Sequence, residues 1–202
     1  ITQLKSIKTS NFVYQEKPFE LKWKIEKNSI TNIPSDVHKK IKNICKKHKE
    51  KFLINDDPIL TLKLDADGCH LGQKDMNILN SRKILKNKII GITCHNSIKL
   101  AKRAISGSAD YLAFGAFYSS KTKKVRYKAR LKVLSLAKEI TNTPVVAIGG
   151  IKDTNYKKLL LNKANFLAIS DYIWNNKKLN PREAISKLVW KYLEMKLSLE
   201  CY

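Results

Sequence analysis

From about Pro34 onward, short apolar runs alternate with longer stretches in which apolar residues recur every three or four positions. The runs are "KFLIN" (51–55), "GCHLG" (68–72), "KIIGIT" (88–93), "DYLAFG" (110–115), "PVVAIGG" (144–150) and "NFLAIS" (165–170). They are too short for buried helices and almost continuously apolar, as strands covered on both faces should be. The stretches between them have helical spacing. "SDVHKKIKNICKKHK" opens on a Ser35/Asp36 cap signal and puts Val37, Ile41 and Ile44/Cys45 on one face. "NSIKLAKRAISG" has Asn96 as its expected cap, then Ile98, Leu100/Ala101 and Ile105, and stops at Gly107. "RLKVLSLAKEIT", "DTNYKKLLLNKAN" and "PREAISKLVWKYLEMKL" behave likewise, the last with Pro181 in its first turn. Six strands, each followed by a helix, predict parallel βα units.

Residues 1–33 break this rhythm. "FELKWKIEKN" alternates weakly through Phe19, Leu21 and Trp23, enough for one strand. A closed (β/α)8 barrel needs at least about 200 residues, and the chain has 202. The expectation is an α/β, TIM-type (β/α)8 barrel with shortened or diverged N-terminal units. Residues 1–33 would be a diverged N-terminal segment and 34–202 the barrel region with a C-terminal helix. The chain starts at Ile1 and not Met, so its start is read as missing or trimmed.

Composition narrows the function. No apolar run approaches the roughly 18 residues of a membrane span, and no signal-peptide pattern opens the chain. Cys45, Cys69, Cys94 and Cys201 form no C-x-x-C pair and no zinc pattern with the histidines, which predicts free thiols in a reducing cytoplasm. The net charge of +23 suits a nucleic acid or a polyanionic small molecule. Its source is mainly lysine, since only Arg82, Arg103, Arg126, Arg130 and Arg182 are arginine. Base reading prefers arginine, so sequence-specific nucleic-acid binding is not expected, and the plainer reading of the charge is a solvated, lysine-rich surface.

In parallel barrels the active site lies at the C-terminal ends of the strands. There the chain places Asn55, Asp56 and Asp57; Gln73 and Asp75; Thr93, Cys94, His95 and Asn96; the loop "AFYSSKTKK"; Gly149 and Gly150; and Ser170. Asp56 and Asp75, from adjacent strands, suit Mg²⁺, which favours one or two carboxylates plus phosphate oxygens. Residues 119–124 offer hydroxyls and cationic charge to a phosphate. Gly149–Gly150 and Ser170 follow the last two strands, where barrels of this type often bind phosphate. Plainer readings stand beside these. Asp56 or Asp57 would cap the helix near Pro58, Asp75 would serve a turn, His70 would be packed inside its strand, and His95 would bond a loop.

Together, "LINDD", "ADGCHLGQKDM", "KIIGITCHN", "ADYLAFGAFYSSKTKK", "PVVAIGGI" and "ANFLAISDYIW" resemble the thiamine phosphate synthase family over about residues 34–176. The resemblance implies a transferase. It would condense hydroxymethylpyrimidine pyrophosphate with hydroxyethylthiazole phosphate to thiamine phosphate, with Mg²⁺-assisted loss of pyrophosphate. It further implies that Asp56 and Asp75 hold Mg²⁺ and that Asn55, Thr93 and Lys123 contact the pyrophosphate, Thr93 standing where the family has Ser. Ser120, Thr122, Gly150, Ile169 and Ser170 would form the thiazole-phosphate pocket. Thr93 and Lys123 are the expected catalytic residues, small molecules the partners, and a homo-oligomer is left open. One family element is not matched. Where its Gln-Leu-Arg-x-Lys sequence is sought, the chain reads "NSITN", and Lys22 and Lys24 of "ELKWK" are nearest in character but at another offset. A non-catalytic phosphate-binding homologue is therefore one alternative. A thiazole tautomerase is another, disfavoured by Ala116 where that enzyme has a histidine.

Overall fold

All six apolar runs form strands in the computed structural model, which describes residues 12–14, 35–119 and 127–200. In chain order the elements are β1 (Phe12–Tyr14), α1 (Ser35–Lys47), β2 (Leu53–Asn55), α2 (Pro58–Lys63), β3 (Gly68–Leu71), α3 (Ile78–Leu85), β4 (Ile89–His95) and α4 (Ile98–Ser106). They continue with β5 (Tyr111–Gly115), α5 (Lys132–Ile140), β6 (Val145–Ile148), α6 (Lys157–Leu161), β7 (Phe166–Ile169), α7 (Asp171–Trp174) and α8 (Pro181–Glu200). The strands make one sheet in the order β1-β7-β6-β5-β4-β3-β2, with every pairing parallel.

Strand side chains alternate between the two faces, and the faces pack differently. On one face Cys69, Leu71, Ile90, Ile92, Leu112 and Phe114 join Ala101, Leu134, Leu159 and Leu188 from the helices in a large core. On the other, Ala113, Val146 and Ala168 pack with Tyr111, Ile148 and Phe166, all from strands. A doubly wound sheet carries helices on both faces. Among the described residues one face is dressed by helices and the other by strand residues, as in the wall of a barrel. Among the described strands the first pairs with the last, Tyr14 beside Ile169.

Three readings need correction. The strand Phe12–Tyr14 lies in the segment that broke the rhythm; at three residues it is too short to show alternation. Asn96 does not cap α4. Ser97 does, accepting from Leu100 N at 3.2 Å, while Asn96 Oδ1 accepts from Arg130 N. The helix α6 spans only Lys157–Leu161, because Asp153 and Asn155 are drawn into other bonds. The segment "FELKWKIEKN" lies outside the described residues.

Burial pushes the Cys69 thiol up to about 11 and that of Cys94 to about 12. Both are inert core thiols. No described helix is long and apolar enough to cross a membrane.

Candidate active site

The C-terminal ends of β2, β3 and β4 are laced together by polar contacts. Asp56 has φ 67°, a left-handed conformation that Asp tolerates better than most residues. Its N–H donates to His70 O at 2.8 Å, which locks the top of β2 to β3. Capping of α2 falls to Asp57, whose Oδ1 accepts from Leu60 N at 2.9 Å. Asp75 does serve a turn: its Oδ2 accepts from Gly72 N at 2.7 Å. Gln73 Nε2 donates to Thr93 O and ties the loop after β3 to the end of β4. There the register against β5 shifts between Thr93 and His95, a bulge that re-aims the last residues of β4.

His70 is packed, as its strand position suggested, but it also has two side-chain partners. Nδ1 lies 2.9 Å from the Tyr111 hydroxyl and Nε2 2.8 Å from Thr93 Oγ1. Burial pushes the imidazole down to about 4, so the ring is neutral at pH 7. His95 has φ 52° and stacks on Tyr127 at 4.1 Å between ring centroids. A cavity of about 330 Å³ opens beside this pair, lined by Gln73, His95, Asn96, Ser97, Leu100 and Tyr127.

The ends of β5 and β6 are built from main chain. Phe117 N donates to Ile148 O and Tyr118 N to Gly149 O, both at 3.1 Å. Gly149 and Gly150 have φ 101° and 61°, and a Cβ on Gly150 would collide with the carbonyls of Tyr118 and Ser119. Asn155 braces the turn, bonding Gly150 O and Lys152 N, and the Tyr118 hydroxyl donates to Asn155 O. Ser170 opens α7 directly after β7. The Ile169 side chain is buried among the helices, so at the mouth it offers its main chain.

The structure thus brings Asn55, Asp56, Asp75, Thr93, Gly150, Ile169 and Ser170 to one end of the sheet. Ser120, Thr122 and Lys123, like Lys22 and Lys24, lie outside the described residues. Sequence reasoning missed Tyr111, whose signal was a polar aromatic at an inward position of "DYLAFG".

Among the described residues no three His, Cys, Asp or Glu side chains converge to hold a metal. A soft or borderline metal would want such a set. This end offers the carboxylates that follow the adjacent strands β2 and β3, while the Cys94 thiol at the end of β4 is packed into the core. That set fits a hard cation completed by a ligand's own oxygens.

Comparison with known proteins agrees with this geometry. The family model described as thiamine monophosphate synthase matches residues 26–173. Its span excludes Lys22 and Lys24. A thiamine-phosphate synthase of Pelagibacter ubique (strain HTCC1062) is 69% identical over 170 residues, covering 84% of this chain and 81% of that protein. One from Saccharophagus degradans (strain 2-40) is 41% identical over 145 residues, covering 71% of this chain and 67% of that protein. Among solved structures, a thiamine phosphate pyrophosphorylase from Pyrococcus furiosus superposes with a TM-score of 0.71 at 28% identity, covering 82% of this chain and 80% of that one. A 3-hexulose-6-phosphate synthase shares the fold at a TM-score of 0.55 and 18% identity, covering 75% of this chain and 78% of that one. With a helix-dressed parallel sheet, two carboxylates at the ends of neighbouring strands and a family match over most of its length, the chain belongs to the thiamine monophosphate synthase family.

Proposed function

We propose that this protein is a working thiamine-phosphate synthase: a transferase that joins hydroxymethylpyrimidine pyrophosphate to hydroxyethylthiazole phosphate and releases pyrophosphate. The observation that carries the reading is the placement of Asp56 and Asp75. Capping falls to the neighbouring Asp57, and Asp75 is held by the Gly72 N–H, with both acids at the mouth of the strands. They would hold Mg²⁺, which when bound supplies charge neutralisation for a pyrophosphate leaving group. Asn55, Thr93 and Lys123 would orient that pyrophosphate. Ser120, Thr122, Gly150, the Ile169 main chain and Ser170 would receive the thiazole phosphate. Loss of pyrophosphate is dissociative chemistry, so positioning and electrostatics carry the catalysis rather than a nucleophile or strong base.

The same reading extends to the fold and setting. The described sheet ends at β1 and β2, and the reading takes the whole fold as a (β/α)8 barrel. The free thiols of Cys69 and Cys94 suit a cytoplasmic enzyme.

A purified-protein assay with both substrates, with and without Mg²⁺, tests the proposal by following thiamine phosphate. Product that depends on Mg²⁺ is expected. A folded protein that makes none, yet is stabilised against heat by thiazole phosphate, would instead identify a binding homologue that has lost its chemistry.

A further inference from the structure

We propose that His70 and Tyr111 are positioning residues that fix the Thr93 hydroxyl as a hydrogen-bond donor toward the substrate's pyrophosphate. The inference rests on Thr93 as a pyrophosphate contact, as read above.

The three groups form a chain across three strands. His70 pairs in register with Gly91, and Gly91 with Tyr111. The phenol lies over Gly91, where any side chain would collide with the ring. That gap lets Tyr111 cross β4 and reach His70, and the two rings are near parallel at 5.5 Å. Tyr111 O–H sits at 2.9 Å from Nδ1, and Thr93 Oγ1 at 2.8 Å from Nε2.

A neutral imidazole has one N–H donor and one bare nitrogen. Each ring nitrogen here faces a hydroxyl and not a carboxylate. Were Nδ1 protonated, it would donate to the phenol oxygen, and the phenol proton would be left without an acceptor among the described residues. Tyr111 is half-buried, and a donor left unpaired there costs up to about 1–3 kcal/mol. With the phenol donating to bare Nδ1, that loss is avoided. Nε2 then carries the proton and donates to Thr93 Oγ1. The threonine's own proton is thereby turned to an acceptor other than His70, at the C-terminal end of β4. The opposite tautomer would draw the threonine proton onto Nε2 and present oxygen lone pairs to an anion. The relay therefore decides whether this hydroxyl attracts or repels a pyrophosphate oxygen.

The test is a double-mutant cycle of Tyr111→Phe and Thr93→Val, with binding of Mg²⁺-pyrophosphate measured by calorimetry alongside kcat and KM. Tyr111→Phe frees Nδ1 to take the proton. It should weaken Mg²⁺-pyrophosphate and lower kcat/KM for the pyrimidine substrate by about 10-fold or more, as loss of a hydrogen bond to a charged group does, leaving KM for thiazole phosphate unchanged. In a Thr93→Val background it should do nothing further, because its only route is through the hydroxyl. Additive losses, or equal damage to both substrates, would mean a merely structural role and overturn the proposal. Nitrogen NMR of His70 in the wild type gives an independent reading, since an Nδ1–H tautomer would also overturn it. If the wild type makes no thiamine phosphate, the functional reading fails, but pyrophosphate binding and the tautomer still decide this inference.

Discussion

The acids at the two ends of the sheet do different work. At the N-terminal ends of the strands they are bound to cations. Asp65 bridges Lys42 and Lys88 at 2.8 and 2.9 Å, and Asp67 takes Lys51 and Phe52 N. Asp110 takes Arg82 Nη2 at 2.6 Å and Ile90 N at 2.7 Å. After β2 and β3, Asp57 caps α2 and Asp75 accepts from Gly72 N, whereas Asp153, in the loop after β6, is held by Lys187 and Lys191. In a chain of net charge +23, lysines are available everywhere. Lysine pairing at the N-terminal ends and main-chain anchoring after β2 and β3 suit the division of stability from chemistry that barrel folds commonly make. An acid held by an N–H keeps its charge for a cation, whereas an acid between two ammonium groups has already been neutralised.

The largest effect should come from the C-terminal end. Asp75→Asn keeps an oxygen for the Gly72 N–H and removes the charge. Turnover should fall by about 10²-fold or more, with a raised Mg²⁺ requirement and little change in melting temperature. Wild-type-like turnover would erase the proposed division. Next, at the opposite end, Arg82 donates to Lys86 O, Lys88 O and Ser108 O as well as to Asp110. Arg82→Ala should destabilise folding by about 2 kcal/mol in denaturant titrations, while kcat per folded molecule stays put. A selective loss of kcat would show that this end reaches the chemistry.

The smallest effect is in acid. Hydrogen bonds from Lys42 and Lys88 hold Asp65 at about 2, below its ordinary 3.8. Burial works to raise Asp67, but bonds from Phe52 N and Lys51 outweigh it and keep it low. A depressed carboxylate contributes stability above its unfolded pKa and loses it as pH falls through the folded one. Melting temperature should therefore hold above about pH 4 and decline toward about pH 2. Asp65→Asn should flatten that decline. The slope should be modest, because exposed ion pairs contribute little. An unchanged acid limb would assign it to other carboxylates.

The sequence alone determined the six strands from "KFLIN" to "NFLAIS", because a strand buried on both faces must be apolar throughout, and such runs are visible without coordinates. It also determined which residues stand at the strand ends, since βα order dictates that, and the quoted motifs pointed to the family that the comparisons bear out. Tertiary structure decided between near-equivalent neighbours. Whether Asp56 or Asp57 caps α2, and Asn96 or Ser97 caps α4, depends on local dihedrals that differ by one residue. It also decided that Phe12–Tyr14 is a strand, because three residues carry no period and gain their place from pairing with β7. The Tyr111–His70–Thr93 chain links residues up to 41 positions apart, and only register across a glycine brings them within hydrogen-bond distance.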